Sequence, residues 1–125
     1  MTSQSTSKKT ILLVDDTDES RIVAKWFLNS FDFDVESARS AEDALAQFNP
    51  TLHDLVLTDN SMPGMKGDEM ARQMKARSPS TPILMFTGRA PDNQTGIDLV
   101  ITKPRHLLYV KDAIDKLLSS QNSTP

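Results

Sequence analysis

Five polar or charged side chains that could do chemistry together stand at the ends of short apolar segments of this chain. They are Asp15, Asp16, Asp59, Thr87 and Lys103. Carboxylates that lie together raise one another's pKa, so a group of three needs a cation to remain ionised. Mg²⁺ suits such a group because it prefers oxygen ligands and keeps several waters, so that few carboxylates suffice. If the fold brings these side chains together, the sequence predicts a Mg²⁺ site.

The pattern of apolar residues indicates how the chain would bring them together. Apolar runs predict strands over residues 11–14, 35–38, 54–59, 82–87 and 99–102. Helical spacing predicts helices over residues 18–30, after Ser40, over residues 67–77 and from Val110 to Leu118. Alternating strands and helices form a parallel sheet that is covered on both faces, because crossovers are right-handed. We therefore expect an α/β doubly wound fold whose strand ends share one edge of the sheet.

The connection between the last two predicted strands is unusual. Its residues 89–96 read RAPDNQTG, which are turn formers without a helical apolar stripe. Pro and Gly cost about 3 and 1 kcal/mol in a helix interior. We therefore expect the fourth helix to be shortened or absent, and residues 88–98 to form a mobile loop or a single helical turn.

Composition narrows the class of protein. The 125 residues suit one domain, which we expect over residues 9–118, between polar disordered tails at 1–8 and 119–125. The chain has no cysteine, which excludes disulfides and thiolate metal sites. A net charge of −3 with scattered basic residues predicts no direct binding to nucleic acid. No apolar run approaches the roughly 20 residues of a membrane span, so we expect a cytoplasmic domain without membrane insertion.

Each candidate residue also has a purely structural explanation. Asp15 and Asp16 could form a turn or cap a helix, and Lys103 could be a surface lysine. The occurrence of five such residues at four strand ends favours the functional interpretation. By contrast, His53 and His106 are isolated, so we expect both to be exposed and neither to bind a metal.

Four segments resemble the receiver domains of two-component response regulators in order and spacing. They are LLVDD (12–16), LVLTDNSMPGMKG (55–67), MFTG (85–88) and TKP (102–104). The resemblance extends over about residues 8–118. It implies a flavodoxin-like, five-stranded sheet of order 2-1-3-4-5. It also implies that Asp59 is phosphorylated by a sensor histidine kinase or a phosphotransfer protein.

The resemblance assigns the cation site by position. Asp16 and Asp59 would bind Mg²⁺ directly, and Asp15 would act largely through water. The backbone carbonyl of Ser61 would complete the site. Ser61 also stands at a position that, in this family, borders the path of the water that removes the phosphoryl group.

The resemblance also assigns the switch. Lys103 would pair with Asp59 and then with the phosphoryl group, and the bond from Lys103 to Pro104 would be cis. Thr87 would move to bind a phosphoryl oxygen. Many family members carry an aromatic ring three residues before the lysine, where this chain has Val100. Arg89, two residues beyond Thr87, could shield or hold the phosphoryl group.

Two other functions remain open from the sequence. Asp16-Thr17-Asp18 after an apolar strand is similar to the first motif of aspartate-nucleophile phosphatases of the haloacid dehalogenase type. That class of enzyme also needs an acidic pair beyond the lysine, and the residues after Lys103 offer only Asp112 and Asp115 on a helix. The third possibility is a receiver-like interaction module that works without phosphorylation.

Overall fold

The computed structural model describes residues 8–122, and the remaining residues of the two predicted tails lie outside this range. Five strands and four helices alternate along most of the chain. In order they are β1 (Thr10–Val14), α1 (Asp18–Asn29), β2 (Asp34–Ala38), α2 (Ala41–Gln47), β3 (Leu55–Thr58), α3 (Gly67–Arg77), β4 (Ile83–Thr87), β5 (Leu99–Thr102) and α4 (Leu107–Asn122). Among these helices, none is both long and apolar enough to cross a bilayer.

The five strands form one parallel sheet in the order β2-β1-β3-β4-β5, which confirms the predicted fold class and strand order. The register aligns the carboxyl ends of the strands. Val14 lies beside Thr58 across β1 and β3, and Thr87 lies beside Thr102 across β4 and β5. The residues that follow these strands therefore meet along one edge, as the sequence predicts.

Each face of the sheet carries its own apolar core. Leu13, Leu57 and Leu84 point to the face covered by α1 and α4. Their neighbours Leu12 and Val56 point to the face covered by α2 and α3. Burial on both faces explains why the central strands are apolar without alternation. The methionines of α3, Met70 and Met74, are fully buried in the second core.

Helix α1 forms where the spacing of Ile22, Val23, Trp26 and Phe27 predicts it, but these residues do not all face the core. Ile22, Val23 and Trp26 are 64%, 54% and 72% exposed. The sheet is contacted instead by Leu28, together with the half-buried Ala24 and Phe27. The helix therefore leaves an apolar stripe in solvent.

Residues 88–98 contain no helix, which confirms the predicted loss of the fourth helix of the usual pattern. The end of this connection is fixed to α3. Asp98 Oδ2 accepts hydrogen bonds from Lys75 Nζ and from the Ile83 amide, both at 2.7 Å. Gly96 has a φ of +88°, and a Cβ there would lie 3.4 Å from the Ala71 carbonyl oxygen. The backbone of the connection thus packs directly on the backbone of the helix.

These contacts divide the connection into two parts with different expected amide exchange. Within residues 88–93 no amide donates a hydrogen bond, whereas the Asp98 amide donates to Ile83 O at 2.8 Å. We expect fast exchange over residues 88–93 and slow exchange at Asp98, measured by NMR on the free domain. Lys75→Ala should accelerate exchange at Asp98, and Lys116→Ala, at an exposed lysine of α4, should not. Equal protection across the whole connection would contradict this division.

Helix α4 continues to Asn122, four residues beyond the predicted end of the domain at Leu118. The polar residues Ser119 and Ser120 are not strong helix formers, but no Gly or Pro stands between Leu118 and Pro125 to stop the helix. The predicted C-terminal tail is therefore wrong over residues 119–122.

His53 is buried, so the prediction that it is exposed is wrong, whereas His106 is exposed as expected. The Nδ1 atom of His53 accepts a hydrogen bond from the Asn49 amide at 3.0 Å, and its Nε2 atom lies 2.9 Å from Glu36 Oε1. The amide donor at Nδ1 puts the ring proton on Nε2, which can then donate to the carboxylate. A polar ring can be buried here because both of its nitrogens have partners.

Candidate functional site

Asp59 directly follows β3 at the centre of the sheet edge. Its Oδ1 accepts the amides of Asn60 at 2.6 Å and Ser61 at 3.3 Å, while its Oδ2 lies 3.4 Å from Lys103 Nζ. The Asp59 side chain is 15% exposed. One carboxylate oxygen is therefore held by the backbone, and the other faces a cation.

Asp15 follows β1 and lies beside Asp59. Its carboxylate is buried and accepts the Thr17 amide at 3.0 Å. Burial raises the pKa of Asp15 most, and the negative charges of Asp59 and Asp16 raise it further, while the Thr17 amide and Lys103 lower it. The charges of Asp16 and Asp59 thus act on Asp15, as the positions of the three acids at adjacent strand ends predict.

The donor set at this edge fits a hard divalent cation that retains water. Among residues 8–122, no three acidic, histidine or cysteine side chains lie close enough to hold a metal ion by themselves. Mg²⁺ does not require such a cage, because it is usually held by one or two carboxylates and keeps several waters. Carboxylate oxygens of Asp16 and Asp59 and the carbonyl of Ser61 could hold Mg²⁺ here, with Asp15 acting through water.

Lys103 is positioned by the end of β5. Its amide donates to Thr87 O at 2.8 Å, and the peptide bond to Pro104 is cis, as predicted. The Nζ atom also lies 5.2 Å from the centre of the Phe86 ring, within the range of a cation–π contact. The ammonium group is therefore directed along the sheet edge towards Asp59.

Thr87 lies at the same edge, but its hydroxyl is engaged elsewhere. The residue is fully buried, and Oγ1 is 3.4 Å from the carbonyl oxygen of Arg89, a long hydrogen bond. The Arg89 side chain itself is exposed. Val100, half-buried, lies beside Met85 on the neighbouring strand. The structure thus brings Lys103 to Asp59 while Thr87 remains bonded to the loop.

Two residues that follow β3 fix the start of α3, and sequence reasoning assigned a role to neither. Asn60 is buried, its carbonyl accepts the Gly67 amide at 3.0 Å, and its Oδ1 accepts the Asp68 amide at 2.8 Å. A Cβ on Gly67 would lie 2.2 Å from the Asp59 carbonyl oxygen. Only glycine permits this close approach of helix and strand. The signal available in the sequence was the asparagine directly after the candidate acid.

A cleft of about 370 Å³ opens beside Asp59 and Lys103. Its walls are mostly apolar and include Leu57 and Phe86 of the sheet, Val23 of α1 and Leu107 at the start of α4. A concave apolar space beside a charged pair is the usual form of a binding site.

The sequence matches the family model of the response regulator receiver domain over residues 11–115. This chain belongs to the receiver domain family. Receiver domains are signalling domains of two-component systems, and the match gives no support to the phosphatase alternative.

Relatives of the receiver domain include a sensor protein and a regulatory protein. The sensor protein EvgS of Escherichia coli K12 is 32% identical over 116 residues, which are 88% of this chain and 10% of EvgS. The regulatory protein VanRB of Enterococcus faecalis is 32% identical over 114 residues, which are 86% of this chain and 51% of VanRB. The receiver domain therefore spans only part of each of these relatives.

Solved receiver structures superpose closely on this one. A CheY-like receiver domain protein from Methanospirillum hungatei has a TM-score of 0.87 at 29% identity, covering 93% of this chain and 98% of its own. The response regulator TrrA from Thermotoga maritima, in complex with Mg²⁺ and BeF, has a TM-score of 0.79 at 28% identity, covering 87% of this chain and 98% of its own.

Proposed function

We propose that this receiver domain accepts a phosphoryl group on Asp59 from a cytoplasmic histidine kinase or phosphotransfer protein, and that it requires Mg²⁺ to do so. The observation that carries the proposal is the Asp59–Lys103 pair, with Oδ1 of Asp59 held by two backbone amides and Oδ2 facing the ammonium group. A relative that is a sensor kinase/phosphatase, 32% identical over 85 residues, supports a histidine kinase as the partner.

Each group of the site has a separate role in the proposed phosphoryl transfer. The bond between phosphorus and the donor's histidine nitrogen breaks, and a bond to the Asp59 carboxylate forms. Transfer of this kind depends on position and charge neutralisation more than on covalent help. Lys103 supplies positive charge to the phosphoryl oxygens, and the backbone amides orient Asp59. Mg²⁺, when bound, supplies further charge neutralisation. The domain thereby catalyses only its own phosphorylation and dephosphorylation.

The switch proposed here starts at Thr87. A new phosphoryl group presents acceptor oxygens and roughly −1.5 to −2 charges. In this proposal, the Thr87 hydroxyl leaves the carbonyl of Arg89 for a phosphoryl oxygen. Because Val100 stands where many receivers have a ring, the change passes to the loosely bonded residues 88–93 in place of a side-chain rotation. Ordering of this segment would then be the output of the domain.

Incubation with acetyl phosphate and Mg²⁺, followed by mass spectrometry, tests the proposal. The expected result is one acid-stable, base-labile phosphoryl adduct that maps to Asp59 and does not form in excess EDTA. Failure of the wild-type domain to become labelled would favour a phosphorylation-independent interaction module. Sustained turnover of p-nitrophenyl phosphate would instead indicate a phosphatase.

The exposed stripe on α1 suits the docking of the phosphoryl donor. Val23 lines the cleft beside Asp59, and Ile22 and Trp26 extend its apolar surface along the helix. An exposed apolar patch of this kind marks a site of contact with another protein, because binding removes the patch from water. We expect Trp26→Ala to slow transfer from a phosphorylated histidine kinase by about tenfold, since aromatic residues dominate such interfaces. Labelling by acetyl phosphate should be unchanged.

Leu108 on α4 offers the control for this docking prediction, because it is another exposed large apolar residue and lies outside the stripe. Leu108→Ala should leave both rates unchanged. Equal loss of both transfer and acetyl phosphate labelling in Trp26→Ala would indicate damage to the site and would contradict the docking surface.

Arg89 bears on the lifetime of the phosphoryl group. Its exposed side chain begins two residues beyond Thr87 and can turn towards the site. A hydrogen bond between charged groups is worth about 1.5 kcal/mol, or about tenfold. We therefore expect Arg89→Ala to shorten the lifetime of phosphorylated Asp59 by up to about tenfold, measured by loss of label over time. Arg39→Ala, an exposed arginine on another loop, is the control, and an equal or longer lifetime in Arg89→Ala would refute this role.

A further inference from the structure

Arg21 is a largely buried arginine that the proposed chemistry leaves without a role. It lies in the first turns of α1, and its side chain is only 13% exposed. Its Nη1 donates to the carbonyl oxygen of Asp15 at 2.8 Å, and its Nη2 donates to Asp18 Oδ1 at 2.5 Å. One planar group therefore joins the end of β1 to the start of the helix.

The carbonyl that Arg21 contacts belongs to the peptide bond between Asp15 and Asp16. The other groups of Asp15 are already held, since its amide donates to Ala38 O at 3.1 Å and its carboxylate accepts the Thr17 amide. The bond from Arg21 holds the carbonyl, which is the remaining polar group of Asp15, and with it the plane of the peptide bond to Asp16. That plane sets the position of the Asp16 Cα, from which the Asp16 side chain projects.

An arginine suits this task better than a lysine. The guanidinium group is a rigid fork, so one side chain can donate to two acceptors in fixed directions. Its charge is matched by Asp18, whose Oδ1 accepts the hydrogen bond from Nη2. The two hydrogen bonds of Arg21 thus go to the backbone and to Asp18, and not to the acids of the candidate cation site.

We propose that Arg21 is a positioning residue, which holds the Asp15–Asp16 peptide so that the Asp16 carboxylate is pre-oriented for Mg²⁺. The inference rests on the proposed function, because it needs Mg²⁺ to bind at this edge. Arg21 contacts neither the cation nor the phosphoryl group in this role. It acts as the outer support of a ligand, and loss of such a support typically weakens metal binding by about 10 to 100-fold.

The test compares Mg²⁺ affinity and backbone order in three variants. In Arg21→Ala, the dissociation constant for Mg²⁺, measured from amide chemical shifts, should rise by about tenfold or more. Without any metal, the Thr17 amide should exchange faster than in the wild type. Arg21→Lys, which keeps the charge but loses the fork, should give a dissociation constant between the two. Because Arg21→Lys is the more conservative substitution, the affinity can still be measured with it if Arg21→Ala does not fold.

Arg39→Ala is the matched control, because Arg39 also carries a positive charge near Asp18 but is exposed. It should leave Mg²⁺ affinity and Thr17 exchange unchanged. Removal of a positive charge by itself would favour Mg²⁺ binding, so an equal loss of affinity in Arg39→Ala would show that the loss does not depend on the contacts of Arg21 and would overturn the positioning role. Wild-type affinity in both Arg21 variants would overturn it as well, with the proposed function intact. Absence of Mg²⁺ binding by the wild-type domain would instead overturn the proposed function, and this inference with it.

Discussion

Replacing Asp59 with Asn is expected to abolish phosphoryl incorporation while the domain stays folded. An amide is nearly the same size as a carboxylate and can still accept the Asn60 and Ser61 amides through its oxygen. It cannot serve as the anionic nucleophile. The lost pair with Lys103, at 3.4 Å and partly exposed, is worth no more than about 1 kcal/mol. Removal of one negative charge beside Asp15 offsets part of that loss.

Mass spectrometry after acetyl phosphate treatment measures incorporation, and thermal unfolding measures stability. Asp92→Asn is the matched control, since Asp92 is an exposed acid in the β4–β5 connection. The control should be labelled like the wild type. Labelling of Asp59→Asn at the wild-type level would show that another residue is the phosphoacceptor.

Replacing Asp16 with Ala is expected to separate metal binding from stability. Asp16 is one of the charges that raise the pKa of Asp15, so its removal relieves repulsion in the metal-free domain. We expect the free energy of unfolding of the metal-free variant to equal or exceed that of the wild type. Because Asp16 is proposed as a direct ligand, Mg²⁺ affinity should fall by at least about tenfold, and Mg²⁺-dependent phosphorylation should fall with it.

Titration with Mg²⁺ and urea unfolding in EDTA measure the two effects separately. Asp92→Ala removes the same charge away from the site and serves as the control. If Asp16→Ala binds Mg²⁺ as well as the wild type, Asp16 is not a ligand. If the metal-free variant is clearly less stable, repulsion among the acids is not what limits stability at this edge.

Much of the fold and of the candidate site was predictable because both depend on local patterns. A parallel strand buried on two faces must be a continuous apolar run, so β1, β3 and β4 are visible in the sequence. Right-handed crossovers then place the carboxyl ends of these strands at one edge. The proximity of Asp59 and Lys103, which are far apart along the chain, follows from these two rules.

Other features depend on which side chains meet after folding, and the sequence did not reveal them. His53 is buried because Glu36 on β2 and the Asn49 amide both reach its ring. The packing face of α1 cannot be predicted from spacing alone, because Trp26 and Ile22 have the spacing of core residues but project into solvent. The contact of Arg21 with the end of β1 could not be predicted from the sequence, since its partner is a backbone carbonyl, which every residue possesses.

The short connection between β4 and β5 should tolerate insertions and deletions very unequally. Parallel strands normally need about a dozen residues or more to cross from the end of one to the start of the next, and residues 88–98 already make the crossing without a helix. Doubling a flexible loop costs only about 0.6 kcal/mol, so added residues at the exposed tip near Asp92 are cheap. Deletion of residues should be strongly destabilising, because the connection is already short and both of its ends are fixed. Asp98 is held to β4 and α3 at one end, and Thr87 is fixed in the sheet at the other. Related chains that differ in length here should therefore be longer, and the tip is the natural place to graft a peptide into this domain.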